Sequence, residues 1–157
     1  MAGYWEQPDA TRDAIHSASD DTDGPEWFHT GDGGSIDTAG YVTISDRKKD
    51  VIISGGENVS SIEVEDAIFS HPDVSEVAVI GVPDEKWGEL VLALVVVTPG
   101  STLTEDEVIA YAKTKLAGYK CPKRVEFRDV LARTATGKLQ KFKLREPYWA
   151  GLTKQVN

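Results

Sequence analysis

The alternation of apolar and polar residues predicts most of the elements of this chain. Residues 34–37, the turn Thr38-Ala39-Gly40 and the alternating residues 41–45 together predict a β-hairpin. Two longer strands are predicted over Val74–Val82 and Leu90–Thr98. The second is apolar at almost every position, which is typical of a strand covered on both faces, so we expect it at the centre of a sheet.

Two helices are predicted from the residues that would cap their N-termini. Ser60 and Thr104 are each followed three residues later by a glutamate, which is the spacing of a capping box. The first helix is expected to stop at Pro72, and the second to run to about Ala117 and end at Gly118. The inward face of the first helix is expected to consist of Val64, Ala67, Ile68 and His71.

The remaining segments complete the expected order of elements. Val51–Ile53 and Arg124–Phe127 predict short strands, so the hairpin is followed by β-α-β-β-α-β. This order indicates an α+β fold, a small sheet flanked by helices and preceded by a β-hairpin. Ahead of the hairpin, Pro8–Ile15 predicts one or two helical turns, and Ser17–Pro25 predicts a mobile acidic loop. The fully charged run Asp46–Asp50 predicts either a hinge or a solvated turn.

Composition restricts the class of protein. With 157 residues, 40% of them hydrophobic, the chain can form one domain with a core. The longest strongly apolar run, Leu90–Val97, is too short to span a bilayer, and the N-terminus has no signal-peptide pattern. A single cysteine, Cys121, excludes an internal disulfide, and the three histidines lack ligand spacing. We therefore expect a reduced, cytoplasmic, metal-free domain without a transmembrane segment.

Charge is distributed unevenly along the chain. The net charge is −9, yet residues 111–157 carry twelve basic residues against three acidic ones. Such a basic segment can attract a phosphate-bearing ligand, although a solvated basic face has the same composition. The acidic remainder would repel a nucleic-acid backbone, and no RNA-binding pattern is present, so we expect no nucleic-acid partner.

Two glycine-containing segments carry candidate chemistry. Thr134-Ala135-Thr136-Gly137 is a loop of small residues that ends at Lys138, which lets a long cationic side chain approach an anionic ligand. A solvated surface lysine is the alternative interpretation. Gly55 and Gly56 follow a predicted strand, which indicates close backbone approach or a left-handed backbone angle.

Four segments together resemble the C-terminal part of the adenylate-forming superfamily, which includes acyl-CoA synthetases, firefly-type luciferases and peptide-synthetase adenylation domains. They occur in the family's order and spacing across nearly the whole chain. The Ser-Gly-Gly-Glu-Asn run at 54–58 is similar to the acyl-CoA synthetase branch. The four segments are Gly3-Tyr4-Trp5, Trp27–Asp32, Asp46–Val59 and Arg133–Lys141.

The resemblance implies an organisation and a function. Residues 1–46 would be the tail end of a large N-terminal domain, and residues 47–157 a C-terminal lid with its hinge at 46–50. The family's phosphate loop and acyl pocket are missing here, which implies that the chain is inactive without that N-terminal domain. The implied reaction joins a fatty acid or related carboxylate to CoA through an acyl-adenylate, with release of AMP and diphosphate. Two alternatives stay open: an adenylation domain that loads a carrier protein, and a non-catalytic interaction module.

The resemblance also implies roles for individual residues. Asp32 and Arg47 would contact the ribose of ATP, and Lys138 would bind the α-phosphate and act as the catalytic residue. Lys49 matches the hinge position. Mg²⁺ would accompany ATP and be held mainly by the missing domain. The residues implied for CoA binding are Gly55, Gly56, Trp87, Tyr119 and Lys123.

Three features weigh against parts of this assignment. Trp87 and Tyr119 could equally be ordinary packing residues. Ala132 stands where the family usually has proline, which predicts a less rigid loop before Lys138. Cys121 stands where some relatives have a basic residue, which weakens the CoA assignment.

Overall fold

The computed structural model of the protein describes residues 3–17 and 26–152. Most of the loop predicted over Ser17–Pro25 therefore lies outside the described residues. A single 3₁₀ turn, Lys48–Asp50, follows the fourth strand. In chain order, the helices and strands are α1 (Pro8–Ala14), β1 (Ile15–Ser17), β2 (Glu26–Phe28), β3 (Asp32–Ile36), β4 (Val42–Arg47), β5 (Ile52–Ser54), β6 (Glu57–Val59), α2 (Ser61–Phe69), β7 (Val74–Asp84), β8 (Gly88–Val97), α3 (Glu105–Lys113), β9 (Arg124–Phe127) and α4 (Lys141–Trp149).

The strands form two hairpins and one mixed sheet. β1 pairs with β2, and β3 pairs with β4, in both cases antiparallel. The main sheet has β8 at its centre, with β7 antiparallel along one side. On its other side, β8 meets β5 at one end and β9, which runs parallel to it, further along. This confirms the α+β fold class, the hairpin and the central position of the apolar strand.

Both faces of the β7–β8 pair are buried, and alternate residues enter different cores. Val77 and Val79 face the core that α2 and α3 cover, whereas Ala78 and Ile80 face the one that α4 covers. Fully buried branched residues dominate both cores. The sheet is thus a rigid layer with helices on both sides.

The N-cap residues of α2 and α3 are as predicted, but Glu63 and His71 are not placed as predicted. The hydroxyl of Ser60 accepts from the backbone of Glu63, and Thr104 forms a complete capping box. The Glu63 carboxylate instead pairs with Lys120, at 2.7 Å. His71 lies beyond the end of α2, where its ring contacts the Tyr111 ring edge-on.

The predicted C-terminus of α3 is also wrong. The helix ends at Lys113, with Thr114 as its C-cap, rather than near Ala117. The Thr114 hydroxyl donates to the carbonyl of Tyr111 at 2.7 Å, so a side chain takes up one of the last free carbonyls. Within the described ranges, no helix has the length and apolar character needed to cross a membrane.

Two neighbouring residues of α2 test which face of the helix packs on the sheet. Ile68 is fully buried, whereas Phe69 is 57% exposed. We expect Ile68→Ala to lower the free energy of unfolding by about 2–5 kcal/mol, because it leaves a cavity. Phe69→Ala should change it by less than about 0.5 kcal/mol. Urea unfolding of both variants checks this, and equal losses would contradict the assigned face of the helix.

Candidate functional site

The loop that carries Lys138 is a tight hairpin closed by Thr134. The Thr134 backbone N–H donates to the Lys138 carbonyl at 2.8 Å, and its hydroxyl accepts from the Lys138 N–H at 3.1 Å. Gln140 N–H donates to the carbonyl of Ala132 at 2.9 Å, so the backbone before the loop is tied down without a proline. The Lys138 side chain remains exposed at the tip. The backbone of the loop is therefore fixed, and the Lys138 ammonium is exposed at the surface.

Arg133 anchors this hairpin to the sheet. Its guanidinium donates to the carboxylate of Glu76, near the start of β7, through Nε at 3.0 Å and Nη2 at 2.5 Å. Its third nitrogen, Nη1, donates to the Gly137 carbonyl at 2.7 Å, one residue before Lys138. Since guanidinium is a rigid planar fork, these bonds fix the loop relative to β7.

Asp32 and Arg47 face each other across the β3–β4 ladder. The Arg47 Nε lies 3.4 Å from the Asp32 carboxylate. The Asp32 N–H also donates to the hydroxyl of Thr30 at 3.1 Å, which holds the start of the strand. A carboxylate acceptor and a forked guanidinium donor thus lie side by side.

A cleft of about 510 Å³ brings the hinge segment and the lysine loop together. Arg47, Lys49 and Lys138 all line it, so three of the predicted site residues share one cavity. Asp32 is not among the residues that line the cleft, but it contacts Arg47, which does. Five basic and three acidic side chains line the cleft. Lys141 and Arg145 pair with Glu65 and Asp50, and Asp46 is bound by α2, so Arg47, Lys49 and Lys138 remain to attract phosphate groups.

The turn Lys48–Asp50, where the hinge was predicted, is held from both sides. On one side, the Lys48 N–H donates to the carbonyl of Gly31 at 2.8 Å. On the other, Arg145 of α4 donates to the Lys49 carbonyl at 2.7 Å and to the Asp50 carboxylate at 2.9 Å. The backbone torsions of Lys48 and Lys49 lie between these two anchors, and a bond from the Val51 N–H to the Arg47 carbonyl, at 3.1 Å, closes the turn across them.

A buried ion pair fixes the start of α4. Lys141 Nζ lies 2.7 Å from the Glu65 carboxylate, and both side chains are largely buried. The same carboxylate oxygen accepts from the N–H of Val79 at 2.7 Å. Burial raises the pKa of Glu65, and Lys141 opposes this by favouring the charged form. Lys141 therefore secures the residues that follow Lys138.

Gly55 and Gly56 form the two-residue turn between β5 and β6. Both have left-handed backbone angles, with φ of 62° and 85°, which a type I′ turn requires. A Cβ on Gly55 would lie 2.8 Å from the Trp87 ring, whereas one on Gly56 would meet nothing within 4 Å. Gly55 N–H also donates to the Trp87 carbonyl at 2.8 Å. Packing against Trp87 therefore adds a second requirement for glycine at position 55.

Lys123 lies directly before β9, at the edge of β8 that also pairs with β5. Tyr119 precedes Lys123 by four residues. Lys123 N–H donates to the carbonyl of Val91, and its ammonium contacts the Gly118 carbonyl at 3.3 Å. Tyr119 is 46% exposed, so part of its ring is accessible at the surface. Cys121 is fully buried, and burial raises the pKa of its thiol. It belongs to the core rather than to a binding surface.

The lysine loop and Trp87 are attached at different points along β7. The lysine loop is anchored at Glu76, and Trp87 follows the end of β7 at Asp84. Eight residues of extended strand separate these points, about 26 Å.

Four positioning contacts were not predicted from the sequence. Each joins residues that are distant along the chain, and only their occurrence inside or beside the four family segments offered a signal. Within the ranges that the structure describes, no group of three His, Cys, Asp or Glu side chains is placed to hold a metal ion. The contacts are Asp46–Ser61, Asp50–Arg145, Glu65–Lys141 and Glu76–Arg133.

Comparisons with known proteins agree with this arrangement. Residues 63–138 match the model of the family described as AMP-binding enzyme C-terminal domain. The long-chain-fatty-acid–CoA ligase FadD13 of Mycobacterium tuberculosis is 50% identical over 96% of this chain and 28% of its own length. The feruloyl-CoA synthase of an Amycolatopsis species is 47% identical over 94% of this chain and 28% of its own length. The chain thus spans little more than a quarter of these relatives.

Solved structures give the same fold and distinguish two states of one protein. ATP-bound MatB from Rhodopseudomonas palustris is 44% identical, with a TM-score of 0.80 over 93% of this chain and 28% of that chain. The apo structure of MatB covers the same shares, at 45% identity, with a TM-score of 0.66. The arrangement described above is therefore more similar to the ATP-bound structure than to the apo one.

Substitutions in the glycine turn separate backbone strain from side-chain contact. Gly56→Ala should cost about 1 kcal/mol of stability, because it forces a left-handed angle on a residue with a Cβ. Gly55→Ala carries the same strain and also pushes into Trp87, which adds about 1–3 kcal/mol. Thermal unfolding of the two variants measures the difference. Equal melting temperatures would mean that Trp87 does not pack on Gly55.

Proposed function

We propose that the chain is the C-terminal lid of an AMP-forming acyl-CoA synthetase, because residues 63–138 match the AMP-binding enzyme C-terminal domain family. The complete enzyme would convert a carboxylate, ATP and CoA to acyl-CoA, AMP and diphosphate. Its partner would be its own N-terminal adenylating domain. Mg²⁺ would arrive with ATP and be bound mainly there. A single buried cysteine is consistent with the cytoplasmic location that we also propose.

The observation that carries this proposal is the shared cleft of Arg47, Lys49 and Lys138, with Asp32 beside Arg47. Asp32 would accept hydrogen bonds from the ribose hydroxyls, and Arg47 would donate to the same sugar. Lys138 would lie between the carboxylate substrate and the α-phosphate. A preorganised cation there offsets the charge that develops as the carboxylate attacks phosphorus and diphosphate leaves.

The second half-reaction would use the Gly55–Gly56 turn and the residues proposed to contact CoA. After adenylation, rotation at Lys49 would withdraw Lys138 and bring the Gly55–Gly56 turn to the reaction centre. Residues without side chains leave room for the pantetheine arm, whose thiol would displace AMP from the acyl-adenylate. Trp87, Tyr119 and Lys123 would contact the CoA nucleotide, and the exposure of the two aromatic rings supports that role.

Exposed apolar side chains support the division at residue 46. Large apolar side chains of the β3–β4 hairpin, together with Trp27 of β2, are far more exposed than is usual for such groups. We propose that the N-terminal domain covers this surface. The exposed fractions are 58% for Trp27, 71% for Ile36, 73% for Tyr41, 62% for Val42 and 57% for Ile44.

The acyl substrate is proposed only as a fatty acid or related carboxylate. The two curated relatives at about 50% identity act on different acids by name, a long-chain fatty acid and ferulate. Similarity in this part of the chain is thus compatible with more than one acyl group. The acceptor could also be a carrier protein, and comparing CoA with a phosphopantetheinylated carrier as acceptor would separate these readings.

Lys138→Ala in the full-length enzyme should slow adenylate formation by about 10²–10³-fold, the usual loss when one preorganised donor is removed. Transfer from preformed acyl-AMP to CoA should change little, since Lys138 is then withdrawn. Single-turnover measurement of each half-reaction checks this. Lys143→Ala is the matched control, because Lys143 is an exposed lysine of the same segment whose ammonium lies over Phe142. Unchanged adenylation in the Lys138 variant would disprove the assigned role.

The 157-residue chain alone should form neither acyl-AMP nor thioester. It supplies Lys138 but no phosphate loop or acyl pocket, so it cannot assemble the proposed site. The measurement is ATP- and CoA-dependent product formation by purified chain, compared with the full-length enzyme. Thioester formation by the isolated chain would contradict the proposal.

A further inference from the structure

Asp46 is a buried carboxylate at the end of the segment that precedes the hinge. It is 3% exposed and lies in β4, opposite Gly33. A β-bulge at this point shifts the register between Gly33 and Gly34, which leaves Ser45 as the extra residue. Bulges commonly redirect a side chain or interrupt pairing. Here the neighbouring Asp46 side chain lies against α2 instead of reaching solvent.

The Asp46 carboxylate caps the first turn of α2 from outside that helix. Its Oδ2 accepts from the Ser61 N–H at 2.6 Å, the Ser61 hydroxyl at 2.8 Å and the Ile62 N–H at 3.4 Å. The Ser60 hydroxyl donates to both Asp46 Oδ2, at 3.2 Å, and the Ser45 carbonyl, at 3.1 Å. A negative charge at a helix N-terminus is stabilised by the free N–H groups and the helix dipole.

These bonds cross the pivot. Asp46 precedes the turn Lys48–Asp50, and α2 follows it. The Lys48 N–H is anchored to Gly31 on the first side, and the Lys49 carbonyl to Arg145 on the second. Any rotation about Lys48 and Lys49 that leaves these anchors intact must separate Asp46 from α2. The separated carboxylate and the first turn of the helix would then need water or other partners.

The same contacts lead to the proposed catalytic loop. The Ser61 hydroxyl that donates to Asp46 also accepts from Lys141 Nζ at 2.7 Å. Lys141 lies three residues after Lys138 and opens α4. The bonds Asp46–Ser61–Lys141 therefore connect the strand before the hinge to the base of the lysine loop. In this arrangement Lys138 and Arg47 line one cleft, and the fold is more similar to ATP-bound than to apo MatB.

We infer that Asp46 is a positioning residue that latches the lid in its adenylate-forming orientation by capping α2 across the hinge. This inference rests on the proposed function for its catalytic meaning. The contact itself is independent of that function. Loss of the latch should shift the balance between the two orientations. Asp46 Oδ1 also accepts from the Arg47 N–H, at 2.7 Å. In Asp46→Asn the amide nitrogen replaces that oxygen when the remaining oxygen faces α2, so comparing the alanine and asparagine variants isolates the cap from the Arg47 bond.

The experiment measures the ratio of the adenylation rate to the thioester-forming rate in the full-length enzyme. Because each half-reaction uses one orientation, this ratio follows the equilibrium between them whatever its starting value. Asp46→Ala should lower the ratio by about 5- to 30-fold, the range for losing one helix cap. Asp46→Asn keeps an oxygen acceptor at the helix terminus and should retain most of the wild-type ratio.

Thr104→Ala is the matched control for general destabilisation. It removes the cap of α3, which lies entirely on one side of the hinge. It should lower thermal stability without changing the ratio. An unchanged ratio in Asp46→Ala, or an equal fall in Thr104→Ala, would overturn the latch.

Hydrogen exchange separates failure of the latch from failure of the proposed function. In the 157-residue chain, Asp46→Ala should accelerate exchange of the Ser61 and Ile62 amides, while the amides of the α3 first turn stay unchanged. If the wild-type full-length protein performs neither half-reaction, the proposed function fails, and these amides still report on the contact. Wild-type protection at Ser61 and Ile62 in the alanine variant would overturn the inference.

Discussion

Burial of β8 on both faces is the constraint on which the other features depend. Because β8 is flanked by β7 on one side and by β5 and β9 on the other, its apolar residues must be covered above and below. α2 and α3 cover one face and α4 covers the other. The lysine loop lies between Leu131 and Leu139, which both pack on the α4 face. The core that stabilises the sheet therefore also fixes both ends of the lysine loop.

Charged groups inside this fold are tolerated because each has defined partners. An unpaired buried carboxylate is costly, and several hydrogen bonds offset the loss of hydration. Asp46 is bound by a helix N-terminus, and Glu65 by Lys141 and a strand N–H. Asp46 lies where β4 meets α2, and Glu65 lies where α2 meets the start of α4. Each carboxylate gives its junction one preferred geometry. Apolar residues of similar size could fill the space but would not select an orientation.

Local signals in the sequence predicted the local structure well. Strand alternation, the cap residues Ser60 and Thr104 and the charged break before β5 all depend on residues a few positions apart. The predicted end of α3 was wrong. The helix ends at Lys113, where the Thr114 hydroxyl donates to the Tyr111 carbonyl, and Gly118 lies beyond this end. β6 was missed because three residues after a glycine turn carry little strand signal. The cleft could be anticipated only through the family resemblance, since Arg47 and Lys138 are far apart in the chain.

The packing of the sheet limits how the proposed lid can present two sets of residues to one site. A layer covered on both faces bends little, so the loop anchored at Glu76 and the turn beside Trp87 keep their separation. Under the proposed function, rotation of the whole lid is therefore the way to exchange them at the reaction centre. The Gly31 and Arg145 anchors lie on either side of Lys48 and Lys49, and the bond from the Val51 N–H to the Arg47 carbonyl spans both residues. Such a rotation would break this bond, while Lys138 and Gly55 would each keep their own supporting contacts.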